Sequence, residues 1–124
     1  MTDLERVGGA GEVRHLMARF VERVAGDFIV GFLFEGRDLE RIATHEAELA
    51  IAHLGGAGVY NGRPIGQVHR PLRINRGHFR RRLAILRTVL GEAQVDPEII
   101  QRWVAHDAAL EPVVTDGTEC VPPP

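Results

Sequence analysis

Apolar residues recur every three or four positions along most of the chain, which is the spacing of one face of an α-helix. The first such stripe consists of Val13, Leu16, Met17, Phe20, Val21 and Val24, and predicts a helix from Glu12 to Gly26. A short helix over 4–7, closed by Gly8-Gly9, is predicted before it. Convincing alternation over five or more residues is missing from the sequence, so the pattern predicts an all-α fold.

Later helices are predicted over 38–54, 75–90 and 96–110. The stripe predicted to be buried in the first of these consists of Leu39, Ile42, Ala43, Glu46, Leu49, Ala50 and His53. Each begins at a residue that commonly caps helices, namely Asp38, Asn75 and Asp96. Glycine follows the first two helices, and proline takes the first helical position of the third. The strongly apolar stretch 28–34 is predicted to be a compact corner packed into the core.

Three charged residues interrupt the apolar stripes of the three later helices. Glu46, Arg82 and Asp107 each occupy a position where an apolar residue is expected. An unpaired buried charge costs several kcal/mol, so such groups are usually paired. We therefore predict that two acids and one guanidinium meet in one partly enclosed polar site. The alternative is that each side chain lies at the edge of its stripe and reaches water.

One histidine, His69, lies in a segment with little helical signal. Glycines and prolines between 55 and 71 leave room for at most one or two helical turns around Gln67-Val68-His69. A histidine on a short rigid element between amphipathic helices can ligate a metal or haem iron. From these residues alone, a loop histidine without a ligand role remains the alternative.

Composition limits the classes of function. A chain of 124 residues is large enough for one domain with its own core, and its net charge of -2 argues against general affinity for nucleic acid. The arginines between 70 and 87 lack a series of interleaved aromatic residues for base stacking. The apolar run 28–34 is too short to span a membrane. The single cysteine, Cys120, and the absence of a signal core after Met1 fit a reducing cytoplasm.

A series of short motifs runs through the chain from about Leu4 to Val114. They are Leu4-Glu5-Arg6-Val7-Gly8-Gly9, Phe20-Val21-Glu22-Arg23-Val24 with Asp27, Leu33-Phe34, Leu54-Gly55-Gly56, Tyr60-Asn61-Gly62, His69 and His78-Phe79. In this order and spacing they resemble the truncated haemoglobins, most closely group I. The resemblance implies a shortened globin over 1–114, in which two antiparallel helix pairs cross around haem b (iron protoporphyrin IX). The residues 115–124 would form a mobile tail.

The resemblance also implies a haem site. His69 falls on the proximal iron ligand, and Phe34 on the phenylalanine that packs against the haem face. The other expected haem contacts are Leu33, Ile42, His45, Tyr60, Val68, Leu72, Ile74 and Phe79. With the family pattern in view, His69 is expected to be an iron ligand.

The distal side departs from the group I pattern. Group I members commonly have tyrosine where this chain has Val21 and glutamine where it has Glu46, and both donate hydrogen bonds to the bound ligand. Val21 cannot donate, and an ionised Glu46 would repel the ligand, although a carboxyl kept neutral by burial could donate. Arg82 replaces a bulky apolar or aromatic residue and is a permanent donor that can also pair with Glu46 or Asp107.

His45 offers a second route to the iron. It aligns with a position from which some members supply a sixth ligand and others a contact to a haem propionate. Iron ligation, propionate contact and simple solvation by His45 therefore all stay open. A histidine beside Arg82 is also similar to the distal pair of haem peroxidases, by analogy alone.

The expected function is reversible binding of oxygen, nitric oxide or carbon monoxide by a cytoplasmic haem protein, possible oxygen transport included. The protein is expected to be a ligand-binding globin rather than an enzyme, with nitric oxide dioxygenase or weak peroxidase activity as the alternative. An unidentified reductase is an expected partner. The expected assembly is a monomer or weak dimer. One alternative is a redox or sensing protein with His69 and His45 both on iron. The other is a haem-less interaction module in which Glu46, Arg82 and Asp107 form a structural ion network.

Overall fold

The computed structural model describes residues 1–55 and 74–115. Over these ranges the chain forms α-helices and one 3-10 helix. In order they are α1 (Asp3–Val7), α2 (Ala10–Ala25), the 3-10 helix (Gly31–Phe34), α3 (Leu39–Leu54), α4 (Arg76–Glu92), α5 (Pro97–Ala108) and α6 (Glu111–Thr115). The described ranges contain no strand, and the all-α prediction is confirmed.

The predicted N-caps are confirmed. The side chain of Asp38 accepts a hydrogen bond from the backbone N–H of Arg41, and Asn75 accepts from that of His78. His78 completes a capping box, because its ring accepts from the backbone N–H of Asn75. Asp96 accepts from the N–H of Glu98 at the start of α5. Local capping chemistry therefore sets where α3, α4 and α5 begin.

Glycine ends α3 as predicted but does not end α4. Gly55 has a φ of 104° in the left-handed region, where a side chain would be strained. By contrast, α4 continues through Gly91 to Glu92, and the positive φ after it, 61°, belongs to Gln94. The helix-ending turn is thus formed three residues after the predicted glycine, by a residue that tolerates the left-handed conformation with a moderate cost.

The core lies between α2, α3, α4 and α5. Helix α2 packs against both α3 and α4, and α5 packs against α4 and α3. The largest fully buried side chains are Trp103, Phe20, Phe79, Leu16, Met17, Leu86, Leu90 and Ile99. The stripe predicted for α2 is buried in full, which agrees with its regular spacing.

The corner 28–34 is less buried than predicted. Val30 is buried and Leu33 and Phe34 are half-buried, but Phe28, Ile29 and Phe32 are exposed. The carboxylate of Asp27 accepts the backbone N–H groups of Ile29 and Val30, which turns the chain tightly after α2. This turn directs Val30 inward and leaves its neighbours outside, so the prediction of a corner packed wholly into the core is wrong.

The buried face of α3 is rotated relative to the predicted stripe. The residues that α3 buries are Ala47, Ala50, Ile51 and Leu54, whereas the predicted stripe contained Leu39, Ile42, Ala43, Glu46, Leu49, Ala50 and His53. Only Ala50 is common to both sets. Most of the predicted stripe is half-buried and borders the core instead. Helix α3 thus has a buried face and a neighbouring half-buried apolar face.

The described residues end at Thr115, the first residue of the predicted tail. Thr115 is buried and ends α6, where its hydroxyl donates to the carbonyl of Glu111. The remainder of the predicted tail lies outside the described residues, so its mobility stays a prediction. Within the described ranges, every helix is too short or too polar to cross a membrane.

Candidate functional site

Arg82 on α4 joins two carboxylates that come from two other helices. Its Nη2 donates to Oε2 of Glu46 on α3 at 2.8 Å, and its Nη1 donates to Oδ2 of Asp107 on α5 at 3.3 Å. The three side chains are 20%, 18% and 8% exposed, respectively. The predicted meeting of Glu46, Arg82 and Asp107 in one partly enclosed site is therefore confirmed.

Helix α2 contributes the floor of this site. The Cζ atom of Arg82 lies 5.0 Å from the centroid of the Phe20 ring, a distance at which a cation is attracted to an aromatic face. Phe20 is buried, so the ring replaces water on one side of the guanidinium. Three helices thus contribute one ring and two carboxylates to the surroundings of Arg82 on the fourth, α4.

The charge of Arg82 is secured by its partners. Burial disfavours the charged form, but Glu46 and Asp107 outweigh it and raise the pKa of Arg82 above its ordinary value. Arg82 is therefore a permanent cation with a fixed orientation. Removal of the guanidinium would leave the carboxylates of Glu46 and Asp107 poorly solvated and without their partner. In comparable sites this lowers the free energy of unfolding by about 3 kcal/mol.

The predicted ligand-side residues have different surroundings. Glu46 and Arg82 form a hydrogen bond with each other. Val21, which follows Phe20 on α2, is buried in the core. Ile42 is half-buried and precedes Glu46 by one helical turn, on the same face of α3. Oε2 of Glu46 accepts from Arg82, which offsets the repulsion that this carboxylate would exert on an electron-rich ligand.

Several predicted haem contacts lie at the edge of the core. Leu33, Phe34 and Ile42 pack against the core with part of their surface and stay partly exposed. Ile74 and His45 are also half-buried, and Phe79 is buried at the start of α4. A half-buried apolar edge next to a charged group fits a macrocycle that is apolar over its face and anionic at its propionates.

The remaining predicted haem contacts are not described. His69, Tyr60, Val68 and Leu72 lie outside the described residues, as does most of the segment that carries the predicted iron ligand. Their roles therefore stay predictions. The fit of the described residues to haem rests on Leu33, Phe34, Ile42 and the Arg82 group.

A second ion pair fixes the corner after α2 to α4. Nη2 of Arg81 lies 2.7 Å from Oδ1 of Asp27, and Arg81 also donates through Nε. The hydrogen bonds from Arg81 and from the backbone N–H groups of Ile29 and Val30 lower the pKa of Asp27 to about 2. Asp27 therefore stays ionised well into the acid range and holds the turn that precedes the 3-10 helix.

Sequence reasoning missed two features of this region. His53 and His106 stack on each other with their ring centroids 3.9 Å apart. Phe20 was assigned only to the core, yet it also lies under the guanidinium. A signal for the histidines existed in the spacing, because His53 follows Glu46 by seven residues and His106 directly precedes Asp107.

Comparison with known sequences gives the family. Residues 2–114 match the family described as bacterial-like globin. The chain is 29% identical over 113 residues to the group 1 truncated hemoglobin GlbN of Mycolicibacterium paratuberculosis, covering 91% of this chain and 83% of the relative. It is 25% identical over 99 residues to a group 1 truncated hemoglobin of Tetrahymena thermophila, covering 80% and 82% of the two chains.

Comparison with solved structures gives the same fold. The Fe(III) form of truncated hemoglobin from Tetrahymena pyriformis matches with a TM-score of 0.85 at 20% identity, over 92% of this chain and 97% of that one. THB1 of Chlamydomonas reinhardtii matches with a TM-score of 0.78 at 27% identity, over 91% and 95%. Sequence and fold agree over the same helices, and the chain belongs to the bacterial-like globin family as a truncated globin with the two-over-two helical arrangement.

Proposed function

We propose that this protein holds haem b through His69 and reversibly binds a small diatomic gas, oxygen first among them. Membership of the globin family implies a haem cofactor. When bound, haem supplies an iron with a coordination position open to such a ligand. The named relatives are truncated haemoglobins, which supports the same class of function for this chain.

The observation that carries the proposal is the position of the Arg82–Glu46 pair beside an apolar edge. Ile42 lies one turn before Glu46 on α3, and Leu33 and Phe34 pack against the same core. These apolar side chains would contact the macrocycle and exclude bulk water. The charged pair would then set the polarity of an otherwise apolar site, where electrostatic interactions are stronger than in water.

Arg82 would take the part that tyrosine and glutamine play in group I members. Val21 has no donor, and Glu46 accepts from Arg82 rather than presenting a free carboxylate. A guanidinium has five N–H donors, and the observed contacts to Glu46 and Asp107 use one on each of two nitrogens. Arg82 can therefore donate to the ligand while it stays paired, and the pairing restricts how it is aimed.

The absorption spectrum of the purified protein with haemin tests this function. We expect uptake of haemin, and a five-coordinate ferrous spectrum that shifts when carbon monoxide is added. A six-coordinate low-spin spectrum without added ligand would instead support a redox or sensing protein with His69 and His45 on iron. Failure to bind haem would contradict the proposal and favour a module in which Arg82, Glu46 and Asp107 have a structural role.

Nitric oxide dioxygenation is a further expectation of the same site, and it needs electrons from a reductase. Its test is the stoichiometric conversion of nitric oxide to nitrate by the oxygen-loaded ferrous protein. Absence of nitrate would limit the proposal to ligand binding. Weak peroxidase activity through His45 and Arg82 is suggested by analogy alone. Its test is the oxidation of a dye by hydrogen peroxide in the presence of the same haem-loaded protein.

A further inference from the structure

Two histidines from different helices stack beside the Arg82 group. His53 on α3 and His106 on α5 have ring centroids 3.9 Å apart and planes inclined by 24°. Nε2 of His53 is buried and has no hydrogen-bond partner among the described residues. A stacked pair of titratable rings with one unsatisfied nitrogen needs an explanation, because apolar or aromatic residues would pack there at less cost.

Asp107 connects this pair to Arg82. Nδ1 of His106 lies 3.3 Å from Oδ1 of Asp107, and the other carboxylate oxygen, Oδ2, accepts from Nη1 of Arg82 at 3.3 Å. One buried carboxylate is thus shared between an imidazole that can change its charge and a guanidinium that cannot. A change of charge on the imidazole must alter how strongly Asp107 holds Arg82.

We propose that His53 and His106 form a proton-binding site that controls the position of Arg82 through Asp107. This inference rests on the proposed function, because its consequence is a pH-dependent affinity for the diatomic ligand. The proton would act on a positioning residue, Asp107, and would not itself reach the ligand.

Because the rings are stacked, a proton on one imidazole makes protonation of the other less favourable. Two imidazolium rings at 3.9 Å repel each other, so the two sites titrate as a coupled pair. Burial and the neighbouring His106 lower the pKa of His53 below its ordinary value. His106 is the ring of the pair that contacts Asp107.

The charges around His53 act in both directions. Asp3 on α1 and Asp107 on α5 favour a proton on His53. Arg82 on α4 opposes it, and Arg102 on α5 neutralises Asp3 through hydrogen bonds of 2.8 Å and 2.9 Å. Asp107 contacts both His106 and Arg82, so it is the residue that links a proton on the pair to the guanidinium.

Protonation of His106 should weaken the hydrogen bond between Nη1 of Arg82 and Oδ2 of Asp107. A charged His106 would donate a stronger hydrogen bond to Asp107 and would repel the guanidinium. The contact of Arg82 with Asp107 is longer than its contact with Glu46, 3.3 Å against 2.8 Å, so it is the one expected to weaken. Nη1 of Arg82 would then be available to the ligand, and oxygen would dissociate more slowly at low pH.

The first experiment follows the titration of each histidine by NMR in the diamagnetic carbon monoxide complex. We expect the pKa of His53 to fall further in Asp107→Asn, which keeps the shape of the side chain but removes the charge that raises this pKa. His15, which is exposed on α2, provides the reference titration. Unchanged histidine titrations in Asp107→Asn would overturn the proposed connection.

The second experiment measures oxygen dissociation between about pH 5.5 and 8.5 by stopped flow. We expect the rate to fall about fivefold towards low pH in the unmodified protein, the size of effect that one added hydrogen bond supplies. His106→Phe keeps an aromatic ring on His53 and should abolish this dependence. The matched control His15→Gln should retain it.

The outcomes separate this inference from the proposed function. If Arg82→Leu leaves the dissociation rate unchanged, the contact between Arg82 and the ligand is wrong and the proposed function loses its donor. If Arg82→Leu accelerates dissociation but the unmodified protein has a flat pH profile, only the proton-binding role is wrong. A profile that His106→Phe leaves intact would also overturn that role.

Discussion

Nη2 of Arg82 lies 2.8 Å from Oε2 of Glu46, across the interface between α4 and α3. The guanidinium of Arg82 thus lies between two carboxylates, near the half-buried apolar face of α3 that contains Ile42. Because Glu46 accepts from Arg82, the carboxylate is not an isolated charge next to the apolar face of α3. The polarity of the proposed ligand site therefore depends on Arg82, and the first prediction concerns its removal.

Replacement of Arg82 by leucine should accelerate oxygen dissociation about tenfold, since a hydrogen bond from a charged donor contributes about 1.5 kcal/mol. Stopped-flow replacement of oxygen by carbon monoxide measures the rate. Arg87→Leu is the matched control, because Arg87 is exposed on the same helix.

The Arg82→Leu variant should also be less stable, since Glu46 and Asp107 lose their shared partner. Arg82→Lys keeps a positive charge beside the two carboxylates, so it serves as a second variant in which the fold should be retained. Unchanged dissociation in both variants would show that Arg82 lies away from the ligand.

Replacement of His69 by alanine should abolish stable haem binding, because the proposed axial ligand is lost. Haemin titration followed by absorption measures this, with His15→Ala as the control. External imidazole should partly restore a histidine-like spectrum if the truncated side chain leaves room for it. A variant that keeps a normal ferrous histidine-bound spectrum would remove the central claim.

Asp27 should make the fold sensitive to strong acid. Its pKa is lowered from 3.8 to about 2, chiefly by the hydrogen bond from Arg81, so the ionised form is favoured by folding. Its contribution to stability is present above 3.8 and is lost as the pH falls towards 2. Chemical unfolding at a series of acid pH values measures the slope.

Asp27→Asn should lower the stability at neutral pH and flatten this acid slope. Glu35→Gln, at an exposed position after the 3-10 helix, should leave both nearly unchanged. An acid slope that Asp27→Asn does not alter would contradict the assignment.

His53 should make the stability depend on pH in a second, milder range. Burial lowers the pKa of His53 below the ordinary value of 6.5, so the unfolded chain binds the proton more readily than the folded chain. The free energy of unfolding should therefore decrease as the pH falls below 6.5 and should be unaffected by this group above it.

His53→Phe should weaken that dependence, because it removes the proton-binding group and keeps a ring that can stack on His106. The comparison is urea unfolding of both proteins at several pH values. Equal slopes in the two proteins would mean that His53 does not titrate differently on folding.

Local chemistry determined much of this fold from the sequence. Asp38, Asn75 and Asp96 were predicted as N-caps, and each does accept a backbone N–H at the start of its helix. Such interactions join residues two or three positions apart, so the sequence contains all that they require. The motif order also determined the family, because it depends on residue types and spacing alone.

Interactions between distant segments decided the rest. Arg82 is 36 positions from Glu46 and 25 from Asp107, and their contact depends on how α3, α4 and α5 pack. The sequence could indicate that three misplaced charges needed partners, because unpaired burial is costly. It could not indicate that Asp107 would be shared with His106.

The same limit explains two of the incorrect predictions. The stripe of α3 was assigned to the core from periodicity. Because α3 has two apolar faces, periodicity alone does not decide which of them packs against the neighbouring helices. The corner 28–34 was assigned to the core from composition, whereas the turn at Asp27 directs Phe28 and Ile29 outward. Sequence thus determined the helices, their N-caps and the family, since these depend on near neighbours. Tertiary packing alone decided which face each helix buries and which charged groups meet.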